Sequence, residues 1–138
     1  MADTRTTISR AAIELIDGPL PDAPTACVEG AGAVLVFFGA VRPHEEGRPL
    51  LGLDYTSYDP MAENQLRRLA VQAIQTHGLL QVRIVHSRGF VAAGEVSLRL
   101  TVASAHRKAA LLAMDEILDD LKRDVPIWKF PVFAEEQG

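Results

Sequence analysis

Seven consecutive residues, Gly32-Ala-Val-Leu-Val-Phe-Phe38, run without a polar break and are rich in β-branched and aromatic side chains. That pattern is a strand covered on both faces, so the chain must build a layered sheet around it. Four further strand-like runs have apolar residues at alternate positions. They are Ala11–Ile16; Leu51, Leu53 and Tyr55; Val82, Ile84 and His86; and Val96, Leu98, Leu100 and Val102. Ala92-Ala93-Gly94 turns between the last two, and Pro19, Pro21 and Pro24 make a loop after the first. Arg42-Pro43-His44-Glu45-Glu46-Gly47 reads as an exposed polar loop.

Two segments carry helical spacing instead. Asp59-Pro60 supplies an N-cap and a first-turn proline. Ala62, Leu66, Leu69, Ala70 and Ala73 then follow, with Gly78 as the stop. Ser104 is positioned to cap a second helix whose stripe is Ala110, Leu111, Met114, Ile117, Leu118 and Leu121. That helix must end before Pro126. Five strands and two long helices joined by hairpins, rather than by regular βαβ alternation, define an α+β domain with an antiparallel or mixed sheet.

The 138 residues carry 14 Lys+Arg and 18 Asp+Glu, a formal charge of −4, with no long run of one sign. Nucleic-acid and membrane-surface binding are therefore not expected. Length and composition point to a single globular domain over residues 1–138, with no repeat or Ser/Gly linker dividing it. The longest apolar stretch, Ala31–Val41, is shorter than the ~20 residues that cross a bilayer. The first residues lack a signal-peptide pattern, and the lone Cys27 forms no internal disulfide. A cytoplasmic protein is expected.

Five basic residues stand out. At 100° per residue Arg107 falls on the same sector as Leu111, Met114 and Leu118, so it either snorkels to solvent or lines a cavity. His106 precedes it in the first turn, where backbone N–H groups favour an anion. Lys122 borders the same stripe near the other end of the helix, where a lysine is usually a partner for the helix dipole. Lys129 follows the apolar Pro126-Ile127-Trp128, whose packing would desolvate its amine and fit it as a base or nucleophile. Arg42 follows the buried strand, where it either presents to a site or is solvated in the loop. The four histidines show no metal-ligand spacing, and no P-loop, G-x-G-x-x-G or G-x-S-x-G is present. Cys27, in an acidic Pro-rich setting, reads as a bystander thiol.

Taken in order, these residues resemble the large, catalytic subunit of molybdopterin synthase. The matching pieces begin with Gly32-Ala33, Phe38-Gly39-Ala40-Val41-Arg42, Leu53-Asp54-Tyr55 and Tyr58-Asp59-Pro60-Met61-Ala62. They continue through His86-Ser-Arg-Gly89, Gly94-Glu95-Val96-Ser97, Ser104-Ala105-His106-Arg107, Leu121-Lys122 and Pro126-Ile127-Trp128-Lys129. The resemblance implies an α/β hammerhead-type fold and a homodimer with a small ubiquitin-like sulfur carrier at each end, making a heterotetramer. It implies that sulfur passes from the carrier's C-terminal Gly-Gly thiocarboxylate to cyclic pyranopterin monophosphate, in two rounds. Lys122 and Lys129 would then be catalytic, and Arg42, His106 and Arg107 would bind substrate, with Ala40 and Val41 shaping the site through the backbone. No metal or redox cofactor is implied.

Three departures accompany the match. The family's His-Arg-x-Gly reads His86-Ser87-Arg88-Gly89, which moves the arginine to the other face of the strand. Its Tyr-Glu reads Tyr55-Thr56, and its charged pair after the tryptophan-lysine reads Phe130-Pro131, shortly before Gly138. Two alternatives follow. One is a synthase-like module that grips the carrier's tail without transferring sulfur; the other is a plain α+β oligomerisation domain.

Overall fold

The computed structural model describes residues 10–24 and 28–134; Cys27 lies outside them. Seven strands form one sheet: β1 (Ala11–Asp17), β2 (Ala33–Ala40), β3 (His44–Glu45), β4 (Arg48–Ser57), β5 (Gln81–Ala92), β6 (Val96–Ser104) and β7 (Ile127–Phe133). Two helices complete it, α1 (Met61–His77) and α2 (Arg107–Asp124). The main path runs β2-β6-β5-β4-β3, with β1 added to β5 and β7 added to β4. Only β1 and β5 pair in parallel, and every other ladder is antiparallel. The α+β expectation with a mixed sheet and two long helices is met.

Both helices lie on one face of the sheet, α1 against β1 and β5 and α2 against β6 and β2. Small residues let them approach: Ala62, Ala70 and Ala73 from α1, and Ala110 and Ala113 from α2, are all buried. Leu66 and Ile117 then pack over Val82, Ile84, Leu100 and Val102, all at 1% exposure or less. Each such aliphatic side chain contributes roughly 1.5–3 kcal/mol on burial. A second, smaller core of Val41, Leu50, Leu53 and Val91 holds β4 to the far half of β5.

Several local readings are corrected. The Gly32–Phe38 run is not covered on both faces. It forms an edge strand, β2, whose Phe37 and Phe38 are 36% and 57% exposed, so its apolar surface exceeds what one chain covers. Asp59 does not cap α1. Pro60 holds the cap position, and the Asp59 carboxylate instead accepts hydrogen bonds from Arg88 at 2.7 Å and from Ser57 at 3.0 Å. A charge-assisted bond to a guanidinium outweighs a cap worth ~1 kcal/mol. The stop at Gly78 holds, with φ 65°.

Ser104 does not cap α2 either; it ends β6, and its hydroxyl donates to the His106 carbonyl. The helix ends at Asp124, ahead of Pro126 as expected. The polar loop after Arg42 contains a two-residue hairpin. Glu45 pairs with Arg48 around Glu46 (φ 53°) and Gly47 (φ 74°), the pair of positive values that matches strand twist. Pro126-Ile127-Trp128, read from sequence as a packed apolar segment, instead runs into strand β7, with Trp128 52% exposed.

Gly32 sets the start of α2. Its N–H donates to the Ser104 carbonyl at 3.0 Å, and a Cβ there would sit 2.3 Å from the Ala105 carbonyl oxygen. Gly32→Ala must push the β6–α2 connection away from β2, at a cost of about 1–3 kcal/mol. Urea unfolding should show that loss as a lowered midpoint with an unchanged slope.

Candidate active site

A cavity of about 530 Å³ opens on the helix side of the sheet, where the end of α2 faces β4, β5 and β7. Lys122 reaches it from the last turn of α2, Lys129 from β7 and Arg42 from the turn after β2. All three are exposed residues, so the cavity has an open mouth. Lys129 is placed by the sheet, since its register partner is Tyr55 of β4. Glu45 supplies the only carboxylate of the lining against those three cations. An excess of positive charge over a partly apolar wall of Phe37, Leu53, Leu98 and Leu118 suits an anionic ligand.

Beneath the mouth lies a polar floor that sequence reading missed. The Tyr55 hydroxyl is hydrogen-bonded to Ser97 Oγ at 2.9 Å, and Ser97 Oγ donates to the Gly39 carbonyl at 3.4 Å. The His86 ring stands edge-on to Tyr55, with centroids 5.2 Å apart and planes at 82°. Burial, with the Glu45 charge in a smaller part, raises the Tyr55 pKa, partly offset by the Ser97 hydrogen bond. Burial lowers the His86 pKa, and the bond to the Ser87 carbonyl opposes it only in part. The signal in the sequence was a histidine in phase with Val82 and Ile84, whose register partner is Leu98.

His106 and Arg107 are not brought to this cavity. They line a separate depression of about 590 Å³ with Gly32, Ala105, Lys108 and Leu111. Arg107 and Lys122 are fifteen residues apart on α2, about 22 Å along the axis at 1.5 Å per residue. Arg107 is also exposed, as are Leu111 and Leu112 at 54% and 56%. The face of α2 that meets the sheet centres on Ala110, Ala113 and Ile117, roughly 90° around the helix from Arg107. The longer stripe read from sequence therefore joins two faces, one packed on the sheet and one turned to the cavity through Leu118 and Leu121.

Ala40 lines the cavity, but Val41 does not. Val41 is 2% exposed in the smaller core, its N–H donating to Glu95 O (2.9 Å) and its carbonyl accepting from Gly94 (2.8 Å). Arg88 sits outside the cavity, tied to Asp59 at 2.7 Å and to Asp17 at 3.2 Å. Among the described residues no group of three or more His, Cys, Asp or Glu side chains could hold a metal ion. No described helix is long and apolar enough to cross a membrane.

The sheet and the helix pair form an α+β domain with the fold of a molybdopterin synthase structure. A family model described as MoaE protein matches residues 19–124, and the chain belongs to that family. It is 38% identical over 104 residues to the human molybdopterin synthase catalytic subunit, covering 75% of this chain and 55% of that protein. With the Coccidioides immitis catalytic subunit it shares 42% over 106 residues, 77% of this chain and 54% of that one. It spans about half the length of the curated relatives it matches. The crystal structure of molybdopterin synthase from Staphylococcus aureus has a TM-score of 0.79 at 30% identity, covering 89% of this chain and 92% of that one. A complex of subunits 1 and 2 of molybdopterin-converting factor from Helicobacter pylori shares the fold, with a TM-score of 0.69 at 23% identity, covering 91% of each chain.

The neutral burial of His86 has a sign. On acidification the unfolded chain takes up a proton near the ordinary value of ~6.5, while the native ring, its pKa lowered, resists. Its contribution is therefore fully present above that pH and is lost as pH falls below it. Urea midpoints of the native chain should drop between about pH 7.5 and about pH 5, and His86→Gln should show a smaller drop. Equal slopes in the two chains would refute the assignment.

Proposed function

We propose that this chain is the sulfur-transferring subunit of a molybdopterin synthase. It converts cyclic pyranopterin monophosphate to molybdopterin with sulfur from the C-terminal thiocarboxylate of a small ubiquitin-like carrier. One observation carries the reading: Lys122 and Lys129, held on different elements, meet with Arg42 around one open, cation-rich cavity. The carrier's tail enters the mouth, its thiocarboxylate sulfur bonds to the substrate, and the ammonium groups stabilise the oxyanion that forms when water attacks the acyl carbon of the resulting thioester. Arg42 holds substrate oxygen, where a guanidinium fork makes paired hydrogen bonds. Lys122 and Lys129 are the catalytic residues, and Ala40 shapes the adjoining wall.

His106 and Arg107 serve substrate binding only if a second copy brings them to this cavity. Exposed Phe38, Leu111 and Leu112 support such a homodimer, the core of a heterotetramer with two carriers. The cytoplasm is the compartment we assign, supported by a chain whose single cysteine forms no internal disulfide. Pro131 and Phe130 do not displace Lys129, because β7 continues in register with β4 through both of them. That continuity favours the enzyme over a module that only grips the carrier.

The test is reconstitution of the chain with thiocarboxylated carrier and cyclic pyranopterin monophosphate, read by mass spectrometry. The product should gain two sulfurs. Lys122→Ala and Lys129→Ala should each lower the rate by roughly 10²–10⁴-fold while carrier affinity stays within a few-fold. Carrier binding without any sulfur gain would establish the gripping module instead.

A further inference from the structure

His86 is the buried titratable group of the cavity lining that the reading above leaves without a task; it is 5% exposed. Its Nδ1 lies 2.8 Å from the Ser87 carbonyl oxygen, and a carbonyl only accepts, so Nδ1 carries the proton. The neutral ring then presents a bare lone pair at Nε2, and no hydrogen-bond partner for that atom occurs among the described residues. The groups around it come from every neighbouring element. Tyr55 on β4 has its hydroxyl committed to Ser97 on β6; Lys129 on β7, Lys122 on α2 and Arg42 after β2 are cations; Glu45 stands on the β3 hairpin. Cations in their charged form cannot accept a proton, and the Glu45 carboxylate belongs to an outlying hairpin, whereas His86 lies at the centre of the sheet.

We propose that His86 Nε2 is the general base that releases the carrier from the substrate. The proposal rests on the sulfur-transfer reading. Once the thiocarboxylate sulfur has bonded to a substrate carbon, a thioester joins the carrier's acyl carbon to that sulfur. Water then attacks the acyl carbon, and one of its protons passes to Nε2. The new C–O bond forms as the C–S bond breaks, and the electron pair of that bond leaves on sulfur as a thiolate. The imidazolium returns the proton to the thiolate, and the carrier departs as a carboxylic acid that ionises to solvent. No oxidant or further reactant enters. Burial favours the neutral ring and the Ser87 carbonyl opposes it only in part, so the lone pair is available at working pH.

His86→Asn separates this role from a structural one, because its side-chain amide can still donate to the Ser87 carbonyl but offers no acceptor at the Nε2 position. The full chain, thiocarboxylated carrier and cyclic pyranopterin monophosphate are followed in a single turnover by intact-mass spectrometry. The expected result is a carrier–substrate adduct that accumulates, with its release slowed roughly 10²–10⁴-fold. Carrier affinity should stay within threefold, and the acidic limb of the wild-type pH–rate profile should vanish. Release within threefold of wild type, or a rate loss matched by lost carrier affinity, overturns the proposal. Should His86→Asn fail to fold, ¹⁵N NMR of the wild-type ring decides: a protonated Nε2 at neutral pH overturns it, and a bare Nε2 with protonated Nδ1 supports it. A wild-type chain that moves no sulfur overturns the parent reading too. An active wild type with an equally active His86→Asn overturns only the role of His86.

Discussion

Strand β5 serves two sets of partners, and the rest of the molecule depends on that division. Its first half is hydrogen-bonded to β6 on one side and to the parallel β1 on the other, while its last four residues pair with β4. Backbone donors and acceptors in a buried strand must be paired throughout, so the change of partner can occur only where the sheet bends. It occurs just after His86, the last residue of β5 that pairs with β6, and Gly89, with φ 78°, is the first to pair with β4. Val82 and Ile84 of the first half pack in the core that the helices share, whereas Val91 of the second half sits in the small core that contains no helix residue. The cavity is the wedge between the two halves, which is why an apolar strand delivers a histidine into it.

The wedge also explains how strong positive charge and a buried polar floor coexist. Arg42, Lys122 and Lys129 sit at the solvent side, where hydration keeps the cost of three like charges small. Tyr55, Ser97 and His86 lie deeper, joined to one another or to backbone. A ligand that enters replaces the water around the cations, and their interaction with it strengthens as that water leaves.

Elements whose hydrophobic period is set by a single neighbour were legible in the sequence. Both helices, the β5–β6 hairpin and the α+β class follow from alternation and from spacing of three and four. What escaped was decided by competition between non-local partners. Asp59 has the chemistry of a cap, but Arg88, distant in sequence, claims its carboxylate. β7 hides because its outward residues, Trp128 and Phe130, are as apolar as its inward ones, and it contains a proline. The hairpin at Glu46 hides because glutamate rarely takes a positive φ. For the site, Arg42, Lys122 and Lys129, two residue types on three separate segments, share one cavity. His106 and Arg107 were grouped with them by charge alone, and charge carries no distance.

The ladder between β4 and β7 carries a last consequence. Among the described residues β7 is hydrogen-bonded to β4 alone, it is the last element of the chain order, and five of its seven residues are exposed. Its free energy of opening is therefore a local quantity, set by one row of backbone bonds and a few side chains rather than by the helical core. Lys129 and the wall it belongs to can come and go while Leu66, Ile84, Leu100 and Ile117 stay packed. In amide-exchange terms the chain holds two cooperative units of unequal stability, and the cavity is built across the boundary between them.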